Sequence, residues 1–284
     1  MKPPRHYASA AAFRAALEAR LQAIAKAEGI DLQRLRRQVS FDRLLARLFV
    51  DKNAPWLLKG GYAMELRLQK ARTTKDIDLT VSAGLQGGPT RLLALLQDSA
   101  SGMVDADFFR FTIGTSVMDL GAAPEGGARY PVTASLAGRE FTRFHVDVGI
   151  GDEVVPPIEH ISSRDWLDFA GIAPVVCPAI SREQQFAEKL HAFTKPREAG
   201  PNSRVKDLID MALLIHMGGI DRQKLNEALS LTFNRRGTHD LPPEPPQPPE
   251  TWQRPYARLA DECGLNWSMD QSVRAVAELL QGAN

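Results

Sequence analysis

Two neighbouring stretches constrain this chain more than any other part of it. The first is Lys59-Gly60-Gly61-Tyr62, and the second is Arg72-Thr73-Thr74-Lys75-Asp76-Ile77-Asp78-Leu79-Thr80-Val81. Residues 76–82 alternate as a strand does, so Ile77, Leu79 and Val81 share an apolar face and Asp76 and Asp78 share the other. At a strand rise of ~3.3 Å per residue the two aspartates stand roughly 6.5–7 Å apart. Side-by-side carboxylates repel, and aspartate is disfavoured in strands. A bridging divalent cation offsets both penalties, and hard oxygen ligands suit magnesium.

A third carboxylate has a similar setting. In residues 140–148, Phe144, Val146 and Val148 form an apolar face, while Asp147 shares the other face with Arg143 and His145. If this strand lies beside residues 76–82, Asp76, Asp78 and Asp147 converge and could hold two metal ions ~3.5–4 Å apart, as in phosphoryl transfer. A solvent-facing Asp147 is the alternative. Gly60-Gly61, between a short strand (56–58) and a helix (62–69), lets backbone N–H groups approach a phosphate at a helix N-terminus. A plain tight turn is the other reading of that pair.

Around this centre the periodicity predicts helices at 9–28, 31–52, 90–98, 182–194, 203–217, 221–231 and 268–281, with strands at 108–113, 130–136 and 140–148. The last two strands suit a hairpin around Gly138. Six prolines within 242–249 read as an extended polyproline linker. The expected organisation is N-terminal helices over 1–53, a core over 54–180, and a C-terminal helical lobe over 181–284. That is an α+β or α/β, bilobed chain with a central mixed sheet.

With 284 residues, 44% hydrophobic, the chain can bury a substantial core. No apolar run reaches the ~18–20 residues of a membrane helix, no secretory leader is apparent, and two cysteines make no disulfide framework. A cytoplasmic protein is expected. The net charge of +1 excludes binding nucleic acid by bulk charge alone. Yet 25 of the 35 basic residues are arginine, which suits two-pronged phosphate contacts. Arg34, Arg36 and Arg37 fall on one predicted helix, and Arg197, Arg204 and Lys206 cluster later. A solvated helix face is the competing explanation.

Taken together, the pattern resembles the nucleotidyltransferases of the DNA polymerase β superfamily: a Gly-Gly, D-x-D on a strand, and a third Asp on a later strand. More narrowly it is similar to the AbiEii family, which includes the MenT toxins. That family's opening motif, K-G-G with R-x-[ST]-x-D-x-D, is matched by Lys59, Gly60, Gly61, Arg72, Thr74, Asp76 and Asp78. Its later motifs are matched by Glu188-Lys189-Leu190-His191-Ala192 and by Arg204-Val205-Lys206-Asp207-Leu208-Ile209-Asp210. The resemblance spans about residues 55–217.

It implies a bilobed, polymerase-β-like enzyme that moves NMP from an NTP to a hydroxyl. Mg²⁺, as two ions and with Mn²⁺ as an alternative, would be held by Asp76, Asp78 and Asp147. Lys59, Gly60, Gly61, Arg72, Thr74 and Lys189 would bind nucleotide, and Asp207 would position it or the acceptor. It further implies a type IV toxin with a cognate AbiEi/MenA-like antitoxin, acting on the 3′ end of tRNA and so blocking translation, with Arg34, Arg36, Arg37, Arg197, Arg204 and Lys206 as the RNA-contact candidates. A structural Lys189–Asp207 pair joining two helices fits the same spacing.

Three other readings compete. Asp76-Ile77-Asp78-Leu79-Thr80 also fits the D-x-D-x-T of haloacid-dehalogenase-like phosphatases, but Arg72-Thr73-Thr74-Lys75 cannot be the buried strand that precedes that loop. A nucleotidyltransferase acting on a small molecule or protein hydroxyl would share the core. A non-catalytic nucleotide-binding partner would have no need to keep every catalytic residue.

Overall fold

The computed structural model describes residues 6–68, 70–82, 88–102, 104, 107–121, 123–196 and 204–281. The chain divides into two compact units. One comprises Met1–Leu66, Thr73–Gly151 and His160–Ala179, and the other Arg67–Arg72, Asp152–Glu159 and Ile180–Asn284.

The first unit opens with α1 (Ala10–Glu28), capped by the Ser9 hydroxyl and stopped by Gly29 in the left-handed region. The Asp31 carboxylate caps α2 (Leu32–Leu48), which ends short of the expected residue 52. Then follow β1 (Leu57–Lys59), α3 (Gly60–Arg67), β2 (Asp76–Val81), α4 (Gly88–Ser101), β3 (Phe109–Ile113), β4 (Met118–Asp119), β5 (Gly127–Leu136), β6 (Arg139–Ile150), β7 (Glu159–Ser162) and β8 (Val176–Ala179). The strands form one mixed sheet in the order β3-β5-β6-β2-β1-β8-β7, with β4 on β5. Strand β2 runs parallel to β6 and antiparallel to β1.

The alternation read from the sequence holds. Ile77, Leu79, Val146 and Val148 are buried, and they share one hydrophobic core with Phe13, Leu17 and Leu21 of α1 and Leu35, Val39 and Leu44 of α2. The N-terminal helices thus complete the sheet's core rather than forming a body of their own. The β5–β6 hairpin turns at Ala137 and Gly138, both with positive φ (53° and 70°), as a tight two-residue hairpin requires. Four residues on, the ladder slips: Ser135 pairs with Glu140 but Ala134 with Thr142, leaving Phe141 as an inserted bulge residue.

The second unit contains α5 (Arg182–Thr194), α6 (Val205–Met217), α7 (Arg222–Arg236), α8 (Gln253–Cys263) and α9 (Met269–Gln281). Phe186, Leu190, Phe193, Leu208, Met211 and Leu214 are buried. Helix α8 was not anticipated, although Tyr256, Leu259, Ala260 and Cys263 are its buried residues at i, i+3, i+4 and i+7. The proline-rich stretch is a packed strap rather than a free linker. Pro245 is buried and Pro242 and Pro248 are half-buried, while Pro243, Pro246 and Pro249 are exposed. That three-residue period is the repeat of a polyproline helix. Among the described residues no helix is long and apolar enough to cross a membrane.

Candidate active site

The site is built on β2. The Thr74 hydroxyl, just before the strand, donates to Asp76 Oδ1 at 2.9 Å. Thr74 is itself fixed, because its backbone N–H donates to Glu65 Oε1 at 2.6 Å. Glu65 is buried on α3, and its other oxygen accepts from Arg34 (3.2 Å) and Gln38 (2.5 Å) of α2. Burial pushes the Glu65 carboxyl above its ordinary range, with the Arg34 charge and the Thr74 N–H opposing it.

Gly60 follows β1 with φ +66°, and a Cβ there would lie 2.0 Å from Asp78 Oδ2. Only glycine permits this approach. The next amide, Gly61 N–H, donates to that same oxygen at 3.2 Å. The Gly-Gly pair was expected to cradle phosphate; here its immediate task is to seat Asp78. Lys59, at the end of β1, is in register with Asp78.

Asp147 lies beside Asp78 across the parallel β2–β6 pair, as the sequence suggested. A residue the sequence reading missed also faces it. Arg129 on β5 grips both Asp147 oxygens, Nε to Oδ1 and Nη2 to Oδ2, each at 2.7 Å, and Nη2 reaches Asp76 Oδ2 at 3.1 Å. The hydrogen bonds to Asp147 outweigh burial and hold the Arg129 guanidinium well above its usual pKa. Asp76, Asp78 and Asp147 are hard oxygen donors on one stretch of sheet, and in chemistry they fit a divalent cation. Arg129 already supplies part of the positive charge they require. Among the described residues, no three His, Cys, Asp or Glu side chains gather closely enough to hold a metal as they stand.

The second unit carries the later motifs. Lys189 Nζ lies 3.1 Å from Asp207 Oδ1 and 2.9 Å from Asp210 Oδ2. Arg72 grips Asp210 with two prongs at 2.9 and 2.8 Å. Burial works against the Lys189 charge, but Asp210 and then Asp207 outweigh it and raise its pKa. Burial likewise opposes the Asp210 charge, and Lys189 and Arg72 outweigh it and lower its pKa. The expected Lys189–Asp207 pair is therefore present, inside a larger network. Asp210, the last residue of that motif, holds both cations in this network.

The RNA-contact candidates are mostly engaged. Arg34 pairs with Glu65, Arg36 with Glu18 (2.7 Å), and Arg204 with Asp207 (3.4 Å). Arg37 is half-buried and Lys206 exposed. Arg197 lies outside the described residues. His191 is kept neutral, its pKa pushed down to about 3 mainly by burial, next by Arg236.

The structure matches the MenT4 nucleotidyltransferase toxin of Mycobacterium tuberculosis with a TM-score of 0.56 at 14% identity, covering 93% of this chain and 99% of that one. It also matches JHP933 of Helicobacter pylori, with a TM-score of 0.47 at 13% identity, covering 89% of this chain and 92% of that one. No match was found among curated protein sequences. The sequence model of the nucleotidyl transferase AbiEii toxins of type IV toxin–antitoxin systems matches residues 43–277. That span takes in the D-x-D strand, Asp147 and the Lys189–Asp207–Asp210 network, and the chain belongs to the AbiEii family of nucleotidyltransferase toxins.

Proposed function

We propose that this nucleotidyltransferase toxin uses Mg²⁺ to transfer NMP from an NTP to the 3′ acceptor end of tRNA, and that a cognate AbiEi/MenA-like antitoxin restrains it. Enzymes of this kind use an NTP and a divalent metal. The observation that carries the reading is the D-x-D pair on β2, seated by Gly60-Gly61 and Thr74 and in register with Asp147. Asp76 and Asp78 would hold the metal, with Asp147 as the third carboxylate of the group. When bound, the ion would polarise the phosphoryl group and stabilise charge on the attacking and leaving oxygens.

Around the nucleotide, Gly60, Gly61 and Thr74 fix the aspartates, and Lys59 is proposed as a phosphate contact. In the second unit Lys189 is proposed to lend its ammonium to the triphosphate, with Asp207 and Asp210 keeping it charged. Arg72, with both prongs on Asp210, is better suited to holding that acid than to gripping nucleotide.

The tRNA acceptor is suggested by the resemblance to the MenT toxins. A polyanionic acceptor calls for clustered basic groups, because affinity follows the phosphates neutralised and falls with salt. Among the described residues, Arg37 and Lys206 are the candidates with no acidic partner.

The experiment is incubation of the protein with Mg²⁺, each labelled NTP in turn, and total tRNA at low and raised salt. Label at tRNA 3′ ends that weakens with salt and in Arg37→Glu supports the proposal. Label on a small hydroxyl compound or a protein, with tRNA unlabelled, would replace the acceptor and leave the transferase.

A further inference from the structure

Arg129 has no part in the family motifs read from the sequence, yet it makes three of the hydrogen bonds at the carboxylate cluster. Its side chain is 27% exposed, whereas that of Asp147 is 11% exposed and that of Asp76 is 31% exposed. The guanidinium therefore lies over the most buried contact of the group and leaves Asp76 the more accessible. Both oxygens of Asp147 accept from its fork, a two-pronged charged contact that lysine cannot reproduce. Asp76 gives Arg129 only one oxygen, and its other oxygen accepts from Thr74. Asp78 accepts from the Gly61 amide instead.

Charge gives the same answer. Three carboxylates carry −3, Arg129 carries +1, and Lys59, in register with Asp78, brings a further +1 to the same stretch of sheet, so one divalent cation already offsets the remaining negative charge. A second would overshoot in the absence of a nucleotide. An uncompensated charge in a partly buried site is costly.

We propose that Arg129 is a resident cation of this centre: it engages Asp147 and limits the nucleotide-free protein to a single divalent ion, bound through Asp76 and Asp78. Two ions were expected from three carboxylates, and Arg129 is the reason the free protein takes one. Any second ion arrives with the triphosphate and its charge. Arg129 is thus a positioning residue that sets metal stoichiometry. This inference rests on the proposed metal role of Asp76 and Asp78.

The test is Mn²⁺ titration of the full-length, nucleotide-free protein, with free Mn²⁺ read by electron paramagnetic resonance. Wild type should bind one Mn²⁺. Asp76→Asn and Asp78→Asn should each weaken it at least tenfold, whereas Asp147→Asn, which removes a nearby negative charge but no ligand, should weaken it by no more than about threefold. Arg129→Gln should either add a second Mn²⁺ or tighten the first at least tenfold, because Asp147 is released. Arg129→Lys keeps the charge without the fork and should still bind one. The Asp147→Asn arm needs no change at Arg129 and decides the matter if Arg129→Gln fails to fold.

Two Mn²⁺ on the free wild type, none at all, or an Asp147→Asn loss as large as that of Asp76→Asn would each overturn the proposal. NTP-dependent labelling by the same preparation keeps the two ideas apart. Labelling with the wrong stoichiometry sinks the role of Arg129 alone, and absence of labelling with every NTP and acceptor sinks the transferase reading.

Discussion

Arg129 and Asp147 meet side chain to side chain, through two 2.7 Å hydrogen bonds, because Phe141 is an extra residue in the hairpin that joins their strands. A regular ladder counted back from the Leu136–Arg139 pair would set Ala128 opposite Asp147. A one-residue slip sends a side chain to the other face of the sheet, so the bulge is what brings a guanidinium to the carboxylate cluster. The consequences for substitutions at the site follow from the same kind of contact.

At Gly60 a methyl group has no room. Gly60→Ala would place Cβ 2.0 Å from Asp78 Oδ2 and put alanine at φ +66°. The backbone conformation alone costs about 1–2 kcal/mol, and relief of the clash must displace Asp78. We expect a folded protein whose melting temperature falls by several degrees and whose NTP transfer is lost. Both are read by a thermal melt beside the labelling assay, and undiminished transfer would show that the seat of Asp78 is unimportant.

Thr74→Val keeps the shape and removes the hydroxyl that donates to Asp76. The backbone N–H to Glu65 is untouched. The stability change should stay near the ~1 kcal/mol of one hydrogen bond. Transfer should fall about tenfold through kcat more than through KM, because the hydroxyl orients a carboxylate rather than binding the acceptor. Steady-state kinetics in varied NTP makes that separation.

The Lys189 network separates charge from packing. Asp210→Asn leaves Lys189 and Arg72 without their shared buried partner, and breaking a buried pair costs about 3–5 kcal/mol. The folded pKa of Asp210 is lowered. Its contribution is therefore present above its unfolded value, near pH 4, and is lost as pH falls through the folded one. Wild type and Asp210→Asn should converge in stability in acid and diverge near neutrality, as urea unfolding across that range would reveal. Lys189→Met keeps the stem and drops the ammonium, and should reduce NTP use by the ~2–4 kcal/mol of a preorganised charge contact. Unchanged turnover in Lys189→Met would leave Lys189 a purely structural ion-pair partner.

Asp42 has the opposite sign. It is buried on α2 beside the Tyr62 hydroxyl of α3, and burial raises its pKa to about 7 against the pull of that hydrogen bond. An acid raised on folding stabilises fully below its unfolded pKa, near 4, and that contribution is lost as pH rises through the folded value. Stability should thus decline between about pH 4 and 7 by at most ~1.4 kcal/mol per unit from this group. Asp42→Asn should flatten the decline, and an identical slope in the two proteins would rule Asp42 out as its source.

The features legible in the sequence are those whose information is local. Alternation along residues 76–82 and 140–148 assigned Asp76, Asp78 and Asp147 to the faces they occupy, because a strand's period of two is set by its own backbone. Lys189 and Asp207 were legible from helical spacing and motif order, and the sheet between terminal helices followed from the same periodicities. Helix α8 could also have been read from its i, i+3, i+4, i+7 pattern.

The partners of those residues follow from packing between segments distant in the chain. Glu65 reaches Thr74 through the packing of α3 against the approach to β2, and Arg72 reaches Asp210 across 138 positions of sequence. Arg34 and Arg36, free cations when counted along the chain, face Glu65 and Glu18 once α2 is packed. Arg129 meets Asp147 through a bulge that no periodicity announces. A charge visible in sequence becomes a function only when packing decides which opposite charge lies beside it, and that choice depends on contacts distant in the chain.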